Sequence, residues 1–305
     1  MTSHCLKCRS LVPSWIKYSD GMVYLAKNCQ QCGPTQALIE RDLSWVLEQD
    51  EMPRTDSQND CFMVDITGKC DAGCRSCYHQ GGEHKGIDAI NNEFDAVPVF
   101  SRLLLSGGEP LQHPEVAQVV QLASELGLFP VLLTNGAGLT PTVLERLLHA
   151  GLEQTDGVPQ VAVSLGFHYT NRTFVAAYEN VKQIQVADIA FSVSYLDELK
   201  QVEEIAESLR GHYDTVCIRT SWDGSADGLF VSDIVRVLGG DLIPVPTLHG
   251  YRNAMVVKNG ITYKILSWPN WKQYDVERYA GRGVWYCGDN VVSTLVKNHV
   301  ASLPL

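Results

Sequence analysis

Ten cysteines in 305 residues are the feature that most limits how this chain can fold, because eight of them fall within the first 77 positions. Clustered thiols at short spacings bind metal more often than they form disulfides. Cys5-Leu6-Lys7-Cys8 and Cys29-Gln30-Gln31-Cys32 form two C-x-x-C pairs. Between them, Trp15-Ile16-Lys17-Tyr18 and Met22-Val23-Tyr24-Leu25 flank Asp20-Gly21, a dipeptide suited to a hairpin turn with positive φ. Folding the arms back brings the four thiolates to one tetrahedral point, as in a zinc ribbon or a rubredoxin-type iron site. The spacing specifies a metal without choosing between zinc and iron. A unit this small buries too little surface to fold by itself, and structural zinc supplies about 10–16 kcal/mol in finger peptides. The hairpin carries few basic residues, Lys7, Arg9, Lys17 and Lys27, so the module reads as structural or docking rather than nucleic-acid binding.

The whole chain carries 24 Lys+Arg against 35 Asp+Glu, a formal charge of -11, which disfavours broad phosphate contacts. A hydrophobic content of 45% provides for a core and excludes a disordered chain. The opening Met1-Thr2-Ser3-His4-Cys5 is polar and no apolar run approaches about 18 residues, so no membrane span is expected and the cytoplasm is the default compartment. Residues 1–48 form the cysteine module and the polar segment 49–60, with Pro53, reads as a linker.

From Cys61 the pattern changes. Strands are predicted over 61–67, 102–106, 130–134, 160–165, 189–195 and 215–220. Helices are predicted over 87–97, 114–126, 141–149, 173–185, 197–209 and 230–238. Alternation of this kind specifies right-handed βαβ units and a parallel sheet. A closed eight-unit barrel takes about 250 residues, so 61–240 fits an open, partial (β/α)6 TIM-type barrel. Residues 241–305 supply a cap with a hairpin over 254–258 and 261–266, turning at Asn259-Gly260.

The first body strand runs into Cys70-Asp71-Ala72-Gly73-Cys74-Arg75-Ser76-Cys77, a C-x-x-x-C-x-x-C loop. Three thiolates can hold three irons of a 4Fe–4S cluster and leave the fourth open to a ligand. The second strand ends in Leu105-Ser106-Gly107-Gly108-Glu109-Pro110, and the third in Leu133-Thr134-Asn135-Gly136. With these motifs in this order, the chain resembles the radical S-adenosylmethionine enzymes across residues 61–240. That resemblance implies an oxygen-sensitive enzyme in which S-adenosylmethionine chelates the open iron. Reductive cleavage then yields a 5′-deoxyadenosyl radical that abstracts hydrogen from a substrate. It also implies an electron donor such as flavodoxin or ferredoxin.

Residue by residue, the resemblance assigns Cys70, Cys74 and Cys77 to the cluster. Gly107, Gly108 and Pro110 are assigned to holding the methionine group, and Glu109 to orienting that loop. Asn135 either contacts the nucleoside or closes its turn. Ser164 matches a position used for the methionine carboxylate or ribose, and Ser194 is a second strand-end hydroxyl. The family usually places an aromatic before the third cysteine; here Ser76 stands there and Tyr78 follows the cluster instead. The N-terminal module is similar to that of tetraether lipid synthases and of an archaeal dihydropterin methyltransferase. Arg219, a guanidinium within an apolar strand, needs an anionic partner: the cofactor carboxylate, an anionic substrate or a structural acid. Loop residues above the strand ends that could face substrate are His79, His84, His168, Arg172, Tyr195, Trp222 and Asp223.

Cys61, Cys217 and Cys287 are too scattered for a second cluster. Cys217 reads as core, and Cys287 as either a buried thiol or a hydrogen donor near the site. The expected substrate is therefore a small metabolite such as a nucleoside, pterin or lipid precursor. The other readings are a peptide- or protein-modifying enzyme docking through the cysteine module, and a non-catalytic cluster-bearing binding protein.

Overall fold

The computed structural model describes residues 2–5, 8, 10–50, 61–73, 82–167, 171–222, 229–243, 253–269, 278–279 and 284–286. In chain order the first elements are β1 (Thr2–His4), β2 (Leu11–Ser19), β3 (Met22–Cys29), β4 (Gly33–Glu40) and α1 (Leu43–Asp50). Next come β5 (Cys61–Thr67), α2 (Ile87–Phe94), β6 (Arg102–Gly107), a 3-10 turn (Pro110–Gln112), α3 (Val116–Glu125), β7 (Phe129–Thr134) and α4 (Pro141–His149). A two-residue pair, β8 (Gln154–Thr155) and β9 (Val158–Pro159), precedes β10 (Val161–Gly166), α5 (Asn171–Val181), β11 (Asp188–Val193) and α6 (Glu198–Ser208). The remainder comprises β12 (Thr215–Trp222), α7 (Val231–Leu238), β13 (Asp241–Ile243), β14 (Asn253–Lys258), β15 (Ile261–Pro269), β16 (Arg278–Tyr279) and β17 (Val284–Tyr286). Each of β5, β6, β7, β10, β11 and β12 is followed by a helix, which is the six-unit βα order expected of the body.

The chain forms two compact units, Met1–Asp56 with Phe191–Asp275 and Ser57–Ala190 with Val276–Leu305. In the first unit β1 to β4 make an antiparallel sheet in sequence order. Asp20 and Gly21, at φ 55° and 73°, make the turn between β2 and β3 that the sequence requires. The third partner, β4, opens with Gly33-Pro34 and lacks a strong alternation, so it escapes a reading by pattern. The same is true of α1, although Asp42 Oδ1 accepts the Trp45 N–H at 3.0 Å and so caps its first turn.

The ribbon is fastened to α7 of its own unit. Glu40, fully buried at the end of β4, accepts from Ser232 Oγ at 2.7 Å and from Ser232 N at 3.4 Å, at the helix N-terminus. Burial raises its carboxyl above the ordinary range, against the pull of the Ser232 hydroxyl. Beside it the Arg41 guanidinium covers the Phe230 ring at 4.6 Å and lies 3.5 Å from Asp233 Oδ2, while Arg236 pairs with Asp42. The predicted hairpin is β14 and β15, turning at Asn259 and Gly260 (φ 53° and 79°). It does more than cover an end. β15 lies parallel to β12 from Thr215 opposite Thr262 to Trp222 opposite Pro269, so the hairpin lengthens that sheet.

In the second unit β6 pairs in parallel with β5 and β7, and β7 with β10. Val64, Ile66, Leu103, Leu105, Leu132, Val161, Val163 and Leu165 are wholly buried along these strands. Strands covered on both faces read as near-continuous apolar runs, which is why the sequence locates them closely. β17 adds antiparallel to the outer side of β5. No helix among the described residues is long and apolar enough to cross a membrane.

Candidate functional site

Two groups of residues carry chemistry. In the ribbon, the sulfurs of Cys5, Cys8, Cys29 and Cys32 all lie within 4.8 Å of one another, with Cys5 and Cys29 buried. Tetrahedral zinc with bonds of about 2.3 Å places its sulfurs about 3.8 Å apart, so these four fit one ion. Cys8 Sγ stands 3.6 Å from Cys29 Sγ, which also accepts the Cys32 N–H at 3.3 Å. Hydrogen bonds with Ser10 bring the Cys8 thiol down to about 6. The Cys8 sulfur and burial push Cys32 up to about 12. Four sulfurs this close cannot all be thiolates unless a cation joins them.

The second group gathers where β5, β6 and β7 end. β5 runs into Gly68-Lys69-Cys70, and the chain returns through residues 82–85 to close the stem of the cysteine loop. Gly68 N donates to Glu83 O at 2.9 Å, Lys85 N donates to Ile66 O at 3.1 Å, and Thr67 bridges to His84. A Cβ on Gly68 would lie 2.5 Å from Gly82 Cα, so the two limbs meet only as glycines. His84, expected to face a substrate, instead bonds its Nδ1 to Thr67 Oγ1 at 2.8 Å and stacks edge-on with buried His113.

Gly107 and Gly108 close onto this stem. Gly108 N donates to Thr67 O and Glu109 N to Lys69 O, each at 2.7 Å. A Cβ on Gly107 would meet Thr67 O at 2.2 Å, and one on Gly108 would meet Lys69 O at 2.2 Å. The glycine pair is thus required by the cysteine loop's own backbone, before any ligand is considered.

Glu109 is buried and serves three donors. Thr134 Oγ1 reaches Oε1 at 2.6 Å, Leu111 N reaches Oε1 at 3.0 Å, and Asn135 N reaches Oε2 at 2.7 Å. One carboxyl therefore joins the end of β6 to the end of β7. Burial, which outweighs those three hydrogen bonds, raises it to about 7. A carboxyl easier to ionise in the unfolded chain stabilises the fold fully only at low pH. Its contribution fades as pH rises from the unfolded value near 4.5 to about 7. Urea midpoints across that range should show the decline, and Glu109→Gln should flatten it while lowering stability throughout, because the amide presents N–H groups to existing donors.

Asn135 closes its turn by accepting the Ala137 N–H at 2.9 Å on Oδ1. Its Nδ2 also donates to Asp71 Oδ1, within the cysteine loop, at 3.1 Å. From α5, Asn180 Nδ2 donates to the carbonyls of Gly136 and Ala137 at 2.9 and 3.0 Å. Thr67, Asp71 and Asn180 are thus site residues that sequence reasoning missed. An aspartate directly after the first loop cysteine carries no pattern signal, and Asn180 is one polar residue on a long amphipathic helix.

Of the other expected residues, Cys70 is exposed and accepts the Ala72 N–H on its sulfur at 3.5 Å. Pro110 is buried at the start of the 3-10 turn, and Ser164 is half-buried near the end of β10 in the same unit. Ser194 and Arg219 belong to the other unit. There Ser194 N and Tyr195 N donate to Glu198 Oε2 at 2.6 and 3.1 Å, and Arg219 is half-buried on β12 beside the buried core thiol Cys217. Tyr195 and Arg172 are exposed. Cys74, Cys77, Tyr78, His79, His168, Asp223 and Cys287 lie outside the described residues.

Residues 1–41 match the family described as the HMPTM N-terminal zinc ribbon domain. The chain is also similar to an AdoMet-dependent heme synthase of Methanosarcina barkeri, 27% identical over 157 residues. That match covers 47% of this chain and 44% of the relative. A PqqA peptide cyclase of Ruegeria pomeroyi is 27% identical over 164 residues, covering 48% of this chain and 44% of the relative. A 7,8-dihydro-6-hydroxymethylpterin dimethyltransferase of Methanocaldococcus jannaschii is 22% identical over 197 residues, covering 52% and 39%. The chain thus spans less than half the length of each of these relatives. Among solved structures, SuiB of Streptococcus suis bound to its precursor peptide SuiA aligns with a TM-score of 0.43 at 11% identity, covering 64% of this chain and 47% of that one.

Proposed function

We propose, from the premise that this chain is a relative of the radical S-adenosylmethionine enzymes and carries an N-terminal zinc ribbon, that it holds a 4Fe–4S cluster on Cys70, Cys74 and Cys77 and acts on a small metabolite. When bound, the cluster and S-adenosylmethionine supply one-electron cleavage to a 5′-deoxyadenosyl radical and hydrogen abstraction. The observation that carries the reading is the clamp between Gly107-Gly108-Glu109 and the stem of the cysteine loop. That clamp fixes the backbone next to the first cysteine and presents the glycine turn at the same strand ends. The residues fit the group: a loop with three thiols, of which Cys70 is exposed and accepts an amide hydrogen bond, as cluster sulfurs commonly do.

The protein's own part is positional. Glu109 holds the β6 and β7 ends together, Asn135 shapes the turn that faces the nucleoside, and Gly107 and Gly108 allow backbone to reach the methionine group. By the resemblance, Ser164 is assigned to the carboxylate or ribose, and Pro110 and Tyr78 are further cofactor candidates, as are Ser194 and Arg219 on the sequence reading alone. In the ribbon, Cys5, Cys8, Cys29 and Cys32 hold zinc or a single iron with a structural role. Electrons are supplied by a donor of the flavodoxin or ferredoxin kind.

A peptide substrate is the second reading, favoured by the similarity to PqqA peptide cyclase, with the ribbon as the docking element. The cluster assignment is tested by Cys74→Ala. The variant should lose the oxygen-sensitive brown iron chromophore and keep the ribbon's metal; iron content equal to the parent protein's would refute it.

A further inference from the structure

Among the described residues, the cysteine loop meets the strand ends at the glycine turn and also through a side chain. Thr67 and Lys69 take part through backbone, at the stem. Past Cys70, Asp71 Oδ1 reaches a strand end, accepting from Asn135 Nδ2 at 3.1 Å. Asp71 is exposed and Asn135 is 6% exposed, so the bond spans the surface of the loop and the buried end of β7.

Among the described residues, several other polar groups at this turn are committed. The Asn135 N–H goes to Glu109 Oε2, its Oδ1 receives Ala137 N, and Asn180 holds the carbonyls that follow. The amide is held at both ends, by Ala137 N on Oδ1 and by Asp71 on Nδ2, and only the second bond reaches the cysteine loop. Asp71 takes one of the two hydrogens on Nδ2, so the other points in one defined direction. A charged acceptor gives a stronger restraint than a neutral one. The same contact sets the distance between the residue next to Cys70 and the Thr134–Ala137 turn. Asp71 thus couples the cluster loop to the nucleoside side of the site.

We propose that Asp71 is a positioning residue for S-adenosylmethionine: by fixing the amide of Asn135 it sets the cysteine loop in register with the turn that receives the nucleoside. The inference rests on the functional reading above. In anaerobically reconstituted full-length protein, Asp71→Ala should leave iron content unchanged and weaken S-adenosylmethionine binding, measured by titration calorimetry, about tenfold, the size of one charge-assisted hydrogen bond. Asp71→Asn keeps an acceptor and should stay within about twofold of the parent. Asn135→Asp sets two carboxylates against each other and should weaken binding at least as much as Asp71→Ala. Combining it with Asp71→Asn reverses the donor and acceptor and should recover most of the loss, a coupling that independent sites do not show.

Binding by Asp71→Ala equal to the parent's would overturn the proposal. So would loss of iron in that variant, which would make Asp71 part of loop assembly, or a double variant no better than Asn135→Asp alone. A parent protein that holds its full iron yet binds no S-adenosylmethionine would instead remove the functional reading on which the proposal stands.

Discussion

Serine at Cys29 is expected to release the N-terminal ion and unfold the β1–β4 sheet, while iron on the cysteine loop is retained. Cys29 is buried, packs with Cys5 and Val12, and its sulfur is central to the thiol group. Such a unit has little else to hold it, and the metal's contribution of about 10–16 kcal/mol far exceeds a small core's. The consequence should reach α7, because Glu40 then no longer meets Ser232 and the Arg41–Asp233 and Arg236–Asp42 pairs are lost. Metal analysis with limited proteolysis checks this: the variant should carry no ribbon metal and be cleaved within the first 50 residues. A protease-resistant variant without metal would show that the sheet holds itself.

Alanine at Gly108 should be the most damaging small substitution in the body. The added methyl would fall 2.2 Å from Lys69 O and 2.7 Å from Lys69 C, atoms of the backbone that cannot rotate away. Ordinary overpacking costs about 1–3 kcal/mol, and a backbone clash exceeds the upper end. Relief requires that the Gly108 N to Thr67 O and Glu109 N to Lys69 O bonds open, which frees the stem beside Cys70. We expect iron incorporation to fall at least tenfold while the ribbon keeps its metal. Gly138→Ala is the control, since its Cβ would meet only the Leu111 side chain at 3.4 Å.

The sequence reports apolar patterning and turn chemistry well. Consequently β5, at 61–67, and α4, at 141–149, stand where they were expected, and both hairpins turn at their Asp-Gly and Asn-Gly dipeptides. It reports long-range polar contacts poorly. β4 is recruited by pairing with β3 rather than by its own pattern, and α3 begins at Val116, after the Pro110–Gln112 turn and a non-helical link over 113–115. In the site, the glycines of Gly107-Gly108 announce a close approach, but the sequence does not say that the first thing approached is the backbone at Thr67 and Lys69. Likewise His84 reads as an available loop imidazole until the return of the chain places it on Thr67. Asp71 and Asn180 matter only through partners 64 and 43–44 residues away, separations at which no local period operates.

The three loop cysteines and the glycine turn should support reductive cleavage of S-adenosylmethionine. The most direct measurement is 5′-deoxyadenosine formation by the anaerobically reconstituted protein with dithionite and S-adenosylmethionine. Deoxyadenosine and methionine should form in equal amounts in the parent protein and be absent in Cys74→Ala. A protein that holds a full 4Fe–4S cluster and still forms no deoxyadenosine would contradict that role.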